Sequence, residues 1–247
     1  MIIPFNKDHD IWLQNTTYEK PMLVILHLYY LDLLDWYLPY LKNITVSHDI
    51  FITVSEIEPV ESIERIITEL PHAGVYLVEN KGMDVAPFVS VLQTIVDYGY
   101  RYKTILKIHS KKSLAHEKGL GERWRKDLVN ALLFNNGLLE HYHNQVAGLS
   151  EVKMVGSKNW ILKQKIIGYE QNYFNETIRF DEYNFVAGTM FLVNFKIIID
   201  WFLENNIYDK VIDRFPNGYD GDGTVAHELE RVFGCLINVK GYKILGA

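Results

Sequence analysis

The sequence predicts an α/β protein: a mainly parallel, Rossmann-type sheet flanked by helices and forming a single domain. Three observations carry this expectation. From Met22 onward, short β-branched apolar runs alternate with amphipathic stretches of helical period. In the first half of the chain the order is β-α-β-α-β-α-β, which implies parallel strands joined by right-handed crossovers. Polar clusters follow these strands, and in open α/β sheets ligands bind outside the carboxyl ends of the strands.

Met1 to Pro21 is polar and mixed, with Ile11 and Trp12 as anchors, and reads as a lead-in packed against the domain. Met22 to Leu28 (MLVILHL) reads as a fully buried strand with His27 at its carboxyl end. Tyr30 to Leu41 sets Leu31, Leu34, Leu38 and Leu41 on one helical face. Asp49 to Val54 (DIFITV) is a second strand followed by Ser55, and Pro59 to Leu70 a second helix. Val75 to Val78 is a third strand, closed by the turn-forming run Asn80-Lys81-Gly82-Met83-Asp84. Ala86 to Tyr98 is helical in period, and Thr104 to Ile108 is a fourth strand ending in His109-Ser110-Lys111-Lys112-Ser113.

Beyond Ser113 the rhythm changes. Leu114 to Glu122 is polar with two glycines and reads as a mobile loop. Helices are expected over Trp124 to Phe134 and Gly137 to Val146, and a strand over Val152 to Val155. Trp160 to Arg179, rich in aromatics and amides without a clear period, suits a lid or an acceptor-facing segment. Phe185 to Val193 (FVAGTMFLV) reads as one strand and Ile197 to Asn205 as a helix. The run Asn217 to Gly223 turns the chain into a helix over Thr224 to Phe233, with Asp222 or Thr224 as its N-cap. Gly241 to Ala247 finishes the chain.

The totals exclude several classes. A net charge of -6 argues against bulk capture of nucleic acid. The single cysteine, Cys235, excludes an internal disulfide and fits a reducing compartment. No apolar run approaches the roughly 18 residues of a membrane span, so a cytoplasmic protein with at most peripheral contact at the inner face of the membrane is expected. No Walker loop, GxGxxG, HExxH or GxSxG is present.

Four clusters can carry chemistry, each with a plainer alternative. His109 to Ser113 offers cations, donors and hydroxyls suited to a diphosphate, or forms a solvated turn. Asn80 and Asp84 can face a sugar or base, or Asp84 can simply cap the following helix. Asp220-Gly221-Asp222 can hold Mg2+, supply a general base, or only turn the chain. His227 and Arg231, four residues apart on one helix face with Thr224 beside them, can reach phosphate oxygens or belong to an ordinary amphipathic helix.

Several of the same residues resemble the rhamnan synthesis protein F family: Asn80-x-Gly82-x-Asp84-x-Ala86-Pro87-Phe88, Lys107-x-His109-x-Lys111-x-Ser113, Ala187-Gly188-Thr189-Met190-Phe191 and Asp222-Gly223-Thr224-x-Ala226-His227-x-x-Glu230-Arg231. The strand end Leu26-His27 and Thr53-Val54-Ser55 fit the opening of the pattern, and the blocks span about Met22 to Phe233. Where the family usually has an Arg in the first block this chain has Met83, which removes a bidentate phosphate partner.

The resemblance implies a GT-A-like glycosyltransferase of bacterial surface polysaccharide assembly. It would move a sugar, rhamnose favoured, from a nucleotide-diphosphate donor to a glycan or lipid-linked glycan acceptor, with inversion. It implies a nucleotide-sugar-binding half over about residues 22–113 and an acceptor-side half over about 114–247. His27, Thr53, Ser55, Asn80, Gly82, Asp84, His109, Lys111, Lys112, Ser113, His227 and Arg231 would bind the donor, and Gly188 and Thr189 the acceptor. Asp222, with Asp220 beside it, would deprotonate the acceptor. GT-A folds commonly hold a metal through Asp-x-Asp where this chain has His109-x-Lys111, so no cofactor is expected, with Mg2+ or Mn2+ at Asp220 and Asp222 as the alternative. Another reading is a noncatalytic carbohydrate- or nucleotide-binding module of a polysaccharide-assembly complex.

Overall fold

The computed structural model describes residues 2–4, 20–112, 120–165, 182–218 and 223–247. The expected lead-in anchors Ile11 and Trp12, most of the 114–122 loop, the aromatic stretch from 166 onward, Ser113, Asp220 and Asp222 lie outside these residues.

Eight strands form the main sheet among the described residues, in the order β1-β4-β3-β2-β5-β9-β6-β10. Its centre is the predicted half: β2 (Met22–His27), β3 (His48–Ser55), β4 (Ala73–Val78) and β5 (Thr104–His109), all mutually parallel. Helices α1 (Leu34–Lys42), α2 (Val60–Glu69) and α3 (Val85–Asp97) connect them. Strand β1 (Ile2–Pro4) adds antiparallel to β4 at one edge. From β2 the chain steps outward through β3 to β4 and then returns to place β5 on the other flank of β2. The strand order thus reverses between β2 and β5, the position where open α/β sheets form a ligand crevice.

The second half departs from the parallel pattern. Helices α4 (Leu120–Leu133) and α5 (Asn136–Ala147) lead to β6 (Val152–Gly156). Gly121 and Glu122, expected in a loop, therefore open α4. Strand β7 (Ile161–Lys165) pairs antiparallel with β8 (Glu182–Val186) in a separate two-stranded sheet. The start of the expected lid is thus a strand. The single strand expected over Phe185 to Val193 is broken: β8 ends at Val186, Ala187 to Met190 turns, and β9 (Phe191–Asn194) runs antiparallel between β5 and β6. Helices α6 (Phe195–Glu204), α7 (Ile207–Val211) and α8 (Val225–Val239) follow. Strand β10 (Lys243–Gly246), which sequence periodicity does not reveal, pairs parallel with β6.

Alternating residues of the central strands feed two cores. Leu23, Ile25, Phe51 and Ile105 pack with α3, α6 and α8, whereas Val24, Leu26, Ile52 and Leu106 pack with α1, α2, α4 and α5. Helix α8 reaches β8 closely at Gly234, where an added Cβ would fall 2.8 Å from the Cβ of Phe185 and against the Asn184 carbonyl. Among the described residues, no helix is long and apolar enough to cross a membrane.

Candidate functional site

The site forms where the carboxyl ends of β2 and β5 meet the turn before β9. His27 and His109 sit opposite each other in register, and His27 is likewise paired with Thr53. They share the face that carries α3. The ends are stitched by local bonds: Ser110 N–H donates to the His27 carbonyl at 2.8 Å, Tyr30 N–H to Ser110 Oγ at 2.9 Å, and the Tyr37 hydroxyl to the His109 carbonyl at 2.6 Å.

At the centre is Lys107, 1% exposed, inside an otherwise apolar strand. A buried ammonium needs all three protons paired. One goes to Asp84 Oδ2, one to the Thr189 carbonyl at 3.1 Å and one to Thr189 Oγ1 at 2.9 Å, and the Thr189 hydroxyl donates in turn to Asp84 Oδ2. The rings of Phe88 and Phe191 flank the ammonium at 5.4 and 6.0 Å. Asp84 occupies the N-cap position of α3 without a side-chain cap bond, because its carboxylate turns to Lys107 and Thr189 instead. Burial pushes the Asp84 carboxyl up. The charges of His109, when protonated, and of Lys107, with hydrogen bonds from Lys107 and Thr189, outweigh this and hold it well below the usual carboxylate range.

Backbone geometry serves the same hub. Gly82 and Met83 before Asp84, and Gly188 and Thr189 opposite, all have positive φ, at 55°, 55°, 85° and 49°. For a β-branched threonine this is a costly conformation, kept only where the surroundings dictate it. Gly188 also lets the backbone approach α4, since a Cβ there would lie 2.9 Å from Leu128.

His109 differs from the expected cation. Burial lowers its pKa to about 4, against the opposing charge of Asp84, so the ring is neutral at physiological pH. Its Nε2–H donates to the Gly188 carbonyl at 2.8 Å and lies 3.8 Å from Asp84 Oδ1. His27 is held lower still, at about 3, chiefly by burial, with Nδ1 on Thr53 Oγ1 at 2.9 Å. Thr53 and Ser55 are buried as well, and Ser55 Oγ has no hydrogen-bond partner among the described residues.

Positive charge at the rim comes from the two following lysines. The Lys111 ammonium lies 3.7 Å over the Trp124 ring, which stacks on Trp160 at 4.5 Å. Burial lowers its pKa, with Asp84 and Glu230 opposing. Lys112 is paired with Asp32 and lies 5.0 Å over Tyr30. Asn80 donates to the Tyr29 hydroxyl at 3.4 Å, and its carbonyl accepts Gly218 N–H at 2.8 Å, tying the turn before α3 to the approach to α8.

From α8, Glu230 reaches the Gly188–Thr189 turn. Glu230 Oε1 accepts Gly188 N–H at 2.6 Å. Arg231 packs over Phe185 at 5.4 Å and donates to the His227 carbonyl at 2.7 Å, while the His227 ring meets Thr224 Oγ1 at 2.9 Å. Thr224 is the N-cap, without a side-chain cap bond. Thus β2, β5, α3 and the Gly188–Thr189 turn converge with Glu230, while Arg231 donates to the His227 carbonyl one turn earlier on the same helix. Lys107 and Glu230 escaped sequence assignment, although a lysine inside an apolar strand was itself a signal, since such a residue is almost never buried unpaired.

Carboxylate-metal chemistry does not suit the end of β5. Asp84 Oδ2 is taken by Lys107 and Thr189 and His109 Nε2 by a carbonyl, and the Lys107 and Lys111 ammonium groups stand close by. Among the described residues no group of three or more His, Cys, Asp and Glu side chains could hold a metal ion.

The family model for rhamnan synthesis protein F matches residues 9–242. The chain belongs to the rhamnan synthesis protein F family. The hub residues Asp84, Lys107, His109, Gly188, Thr189 and Glu230 all lie within the matched range. The chain is also 26% identical over 232 residues to the protein WxcX of Xanthomonas campestris pv. campestris strain B100, and 26% identical over 238 residues to WxcX of strain ATCC 33913. Each alignment covers 90% of this chain and 32% of the relative, so the chain spans about a third of the length of these curated relatives.

Proposed function

We propose that this chain is a GT-A-like glycosyltransferase domain of surface-polysaccharide synthesis. It takes a sugar, rhamnose favoured, from a nucleotide diphosphate and delivers it to a glycan or lipid-linked glycan acceptor with inversion. The observation that carries the reading is the convergence of the switch point between β2 and β5 with a rim of positive charge, Lys111 and Lys112, on a chain of this family. A diphosphate leaving group needs fixed positive charge where its own charge develops. The rim lysines answer that need.

In this reading the donor lies across the ends of β2 and β5, with Asn80, Ser55 and the Gly82 turn on its nucleoside side. The Gly188–Thr189 turn, fixed by Lys107 and His109, orients the acceptor. No divalent ion is needed at the end of β5, because His109 and Lys111 occupy the place of its carboxylate ligands. The work is done at the inner face of the membrane, with any membrane contact peripheral.

The test is a panel of nucleotide-sugars screened first by thermal shift, since a bound donor stabilises the native state with the logarithm of its saturation. Donor consumption in excess chelator is then followed, with and without acceptor. Binding plus slow hydrolysis supports the transferase. Binding without any turnover would favour a sugar-nucleotide-binding module, a reading favoured by the complete internal pairing of Lys107. Activity lost to chelator and restored by Mg2+ or Mn2+ would overturn the metal-independent assignment and direct attention to Asp220 and Asp222.

A further inference from the structure

Transfer of a sugar to a hydroxyl requires a group that takes the hydroxyl proton. Two carboxylates exert their charge on both Lys107 and Lys111: Asp84 and Glu230. Their surroundings differ in every respect that bears on proton transfer.

Asp84 Oδ2 is filled by the Lys107 ammonium and the Thr189 hydroxyl. A carboxylate so held is a weak base. Among the described residues, Glu230 accepts a hydrogen bond on Oε1 alone, from the Gly188 N–H. The described neighbour of its Oε2 is Arg231 Nη1 at 3.9 Å, beyond hydrogen-bond reach, and the side chain is 17% exposed. One residue, Gly188, lies between it and His109, whose Nε2 bonds the carbonyl of that same residue. Glu230 thus borders the turn assigned above to the acceptor, within range of the charges of Lys107 and Lys111. Burial raises its pKa, although Gly188 N–H opposes this, whereas Asp84 is held far below. Two carboxylates driven apart in this way mark different roles in one site.

We infer that Glu230 is the general base of the transfer reaction, taking the acceptor proton on Oε2 while Oε1 stays anchored to the Gly188 N–H. The inference rests on the transferase reading above. The acceptor O–H bond breaks and its proton passes to Glu230. The acceptor oxygen bonds to the anomeric carbon as the bond from that carbon to the diphosphate oxygen breaks. The electron pair leaves with the diphosphate, whose charge meets Lys111 and Lys112. The role assigned to Asp222 from the sequence passes to Glu230.

The test compares the full wild-type chain with Glu230→Gln, Glu230→Ala and Asp222→Asn, using a nucleotide-sugar drawn from the panel. Glutamine keeps a carbonyl oxygen for the Gly188 N–H, so Glu230→Gln should keep the thermal shift given by the donor. Its transfer rate should fall about 10²–10⁴-fold, the usual contribution of a general base. Wild-type activity should fall on the acid side as Glu230 protonates, and this limb should vanish from the residual activity of Glu230→Gln. Near-normal transfer by Glu230→Gln with damage only in Glu230→Ala would show that the carboxylate merely supports the turn, and would overturn the inference. A rate loss confined to Asp222→Asn would overturn it equally. A wild-type chain that neither binds nor consumes any nucleotide-sugar would instead sink the transferase reading, and this inference with it.

Discussion

Lys107 and Asp84 form an internal ion pair with side-chain exposures of 2% and 13%, and the remaining lysine protons both end on Thr189. The pair joins β5, the start of α3 and the turn before β9 at one point. Removing one partner leaves the other charged and buried, which costs about 3–5 kcal/mol. Asp84→Asn and Lys107→Met should each lower unfolding stability on that scale in urea. The double variant should lose clearly less than the sum, because neither uncompensated charge remains. Additive losses would mean that the two side chains act independently.

The Thr189 hydroxyl can be separated from its strained backbone. Thr189→Val keeps the shape and the positive φ while deleting the bonds to Lys107 and Asp84, so a loss of about 1–3 kcal/mol is expected. Gly188→Ala fails for a different reason. Its φ of 85° and a Cβ 2.9 Å from Leu128 both oppose a side chain, which should cost about 1–3 kcal/mol in the same urea assay.

The buried histidines set an acid sensitivity. His27 and His109 titrate near 3 and 4 in the folded protein, against an ordinary value of 6.5. Between those limits the unfolded chain binds more protons, so stability rises with pH across the window. Their contribution is complete above about pH 6.5 and is lost as pH falls toward 4 and then 3, about 3 kcal/mol for His109 and about 5 kcal/mol for His27. The Asp84 contribution is lost only at more acid pH, below the ordinary carboxylate range. Urea midpoints for the wild type should fall between neutral pH and pH 4.5, and His109→Gln should flatten that fall. An unchanged slope would mean that His109 is not held neutral by folding.

Lys111 is expected to bind the diphosphate and Trp124 to position it. Lys111→Met should weaken binding of a nucleoside diphosphate about 10- to 100-fold by calorimetry, in line with 1.5–3 kcal/mol for a charged hydrogen bond. Trp124→Leu removes the ring under the ammonium but not the charge, so its loss should be smaller, about 3- to 5-fold for 0.5–1 kcal/mol. Equal binding by wild type and Lys111→Met would remove Lys111 from the diphosphate site.

Much of the sheet was legible because parallel strands buried on both faces read as apolar runs. The stretches MLVILH, DIFITV and TILKIH became β2, most of β3 and β5. The convergence of the end of β5 with Asp84 was legible because both follow the carboxyl ends of parallel strands, although β3 and β2 lie between β4 and β5 in the sheet. What escaped depends on pairing between distant segments. FVAGTMFLV carries no local mark of a break, because the turn at Gly188 and Thr189 is imposed by Lys107 and Asp84 from far along the chain. Strand β10 is short and partly exposed, so it lacks the apolar run that revealed the central strands. His109 looked like a cation because sequence gives residue type but not burial, and burial decides its charge. Glu230 was one acidic residue among several on an amphipathic helix until the fold brought Gly188 to it.

The antiparallel entry of β9 between β5 and β6 also bears on how this protein folds. Lys107 meets Thr189 across 82 residues, and Thr189 meets Asp84 across 105. Such contacts can form only after long loops have closed, a slow event in folding. The hub should therefore be among the last parts to assemble during refolding, and on the transferase reading the retention of a nucleotide-sugar should return after most of the helical signal has recovered.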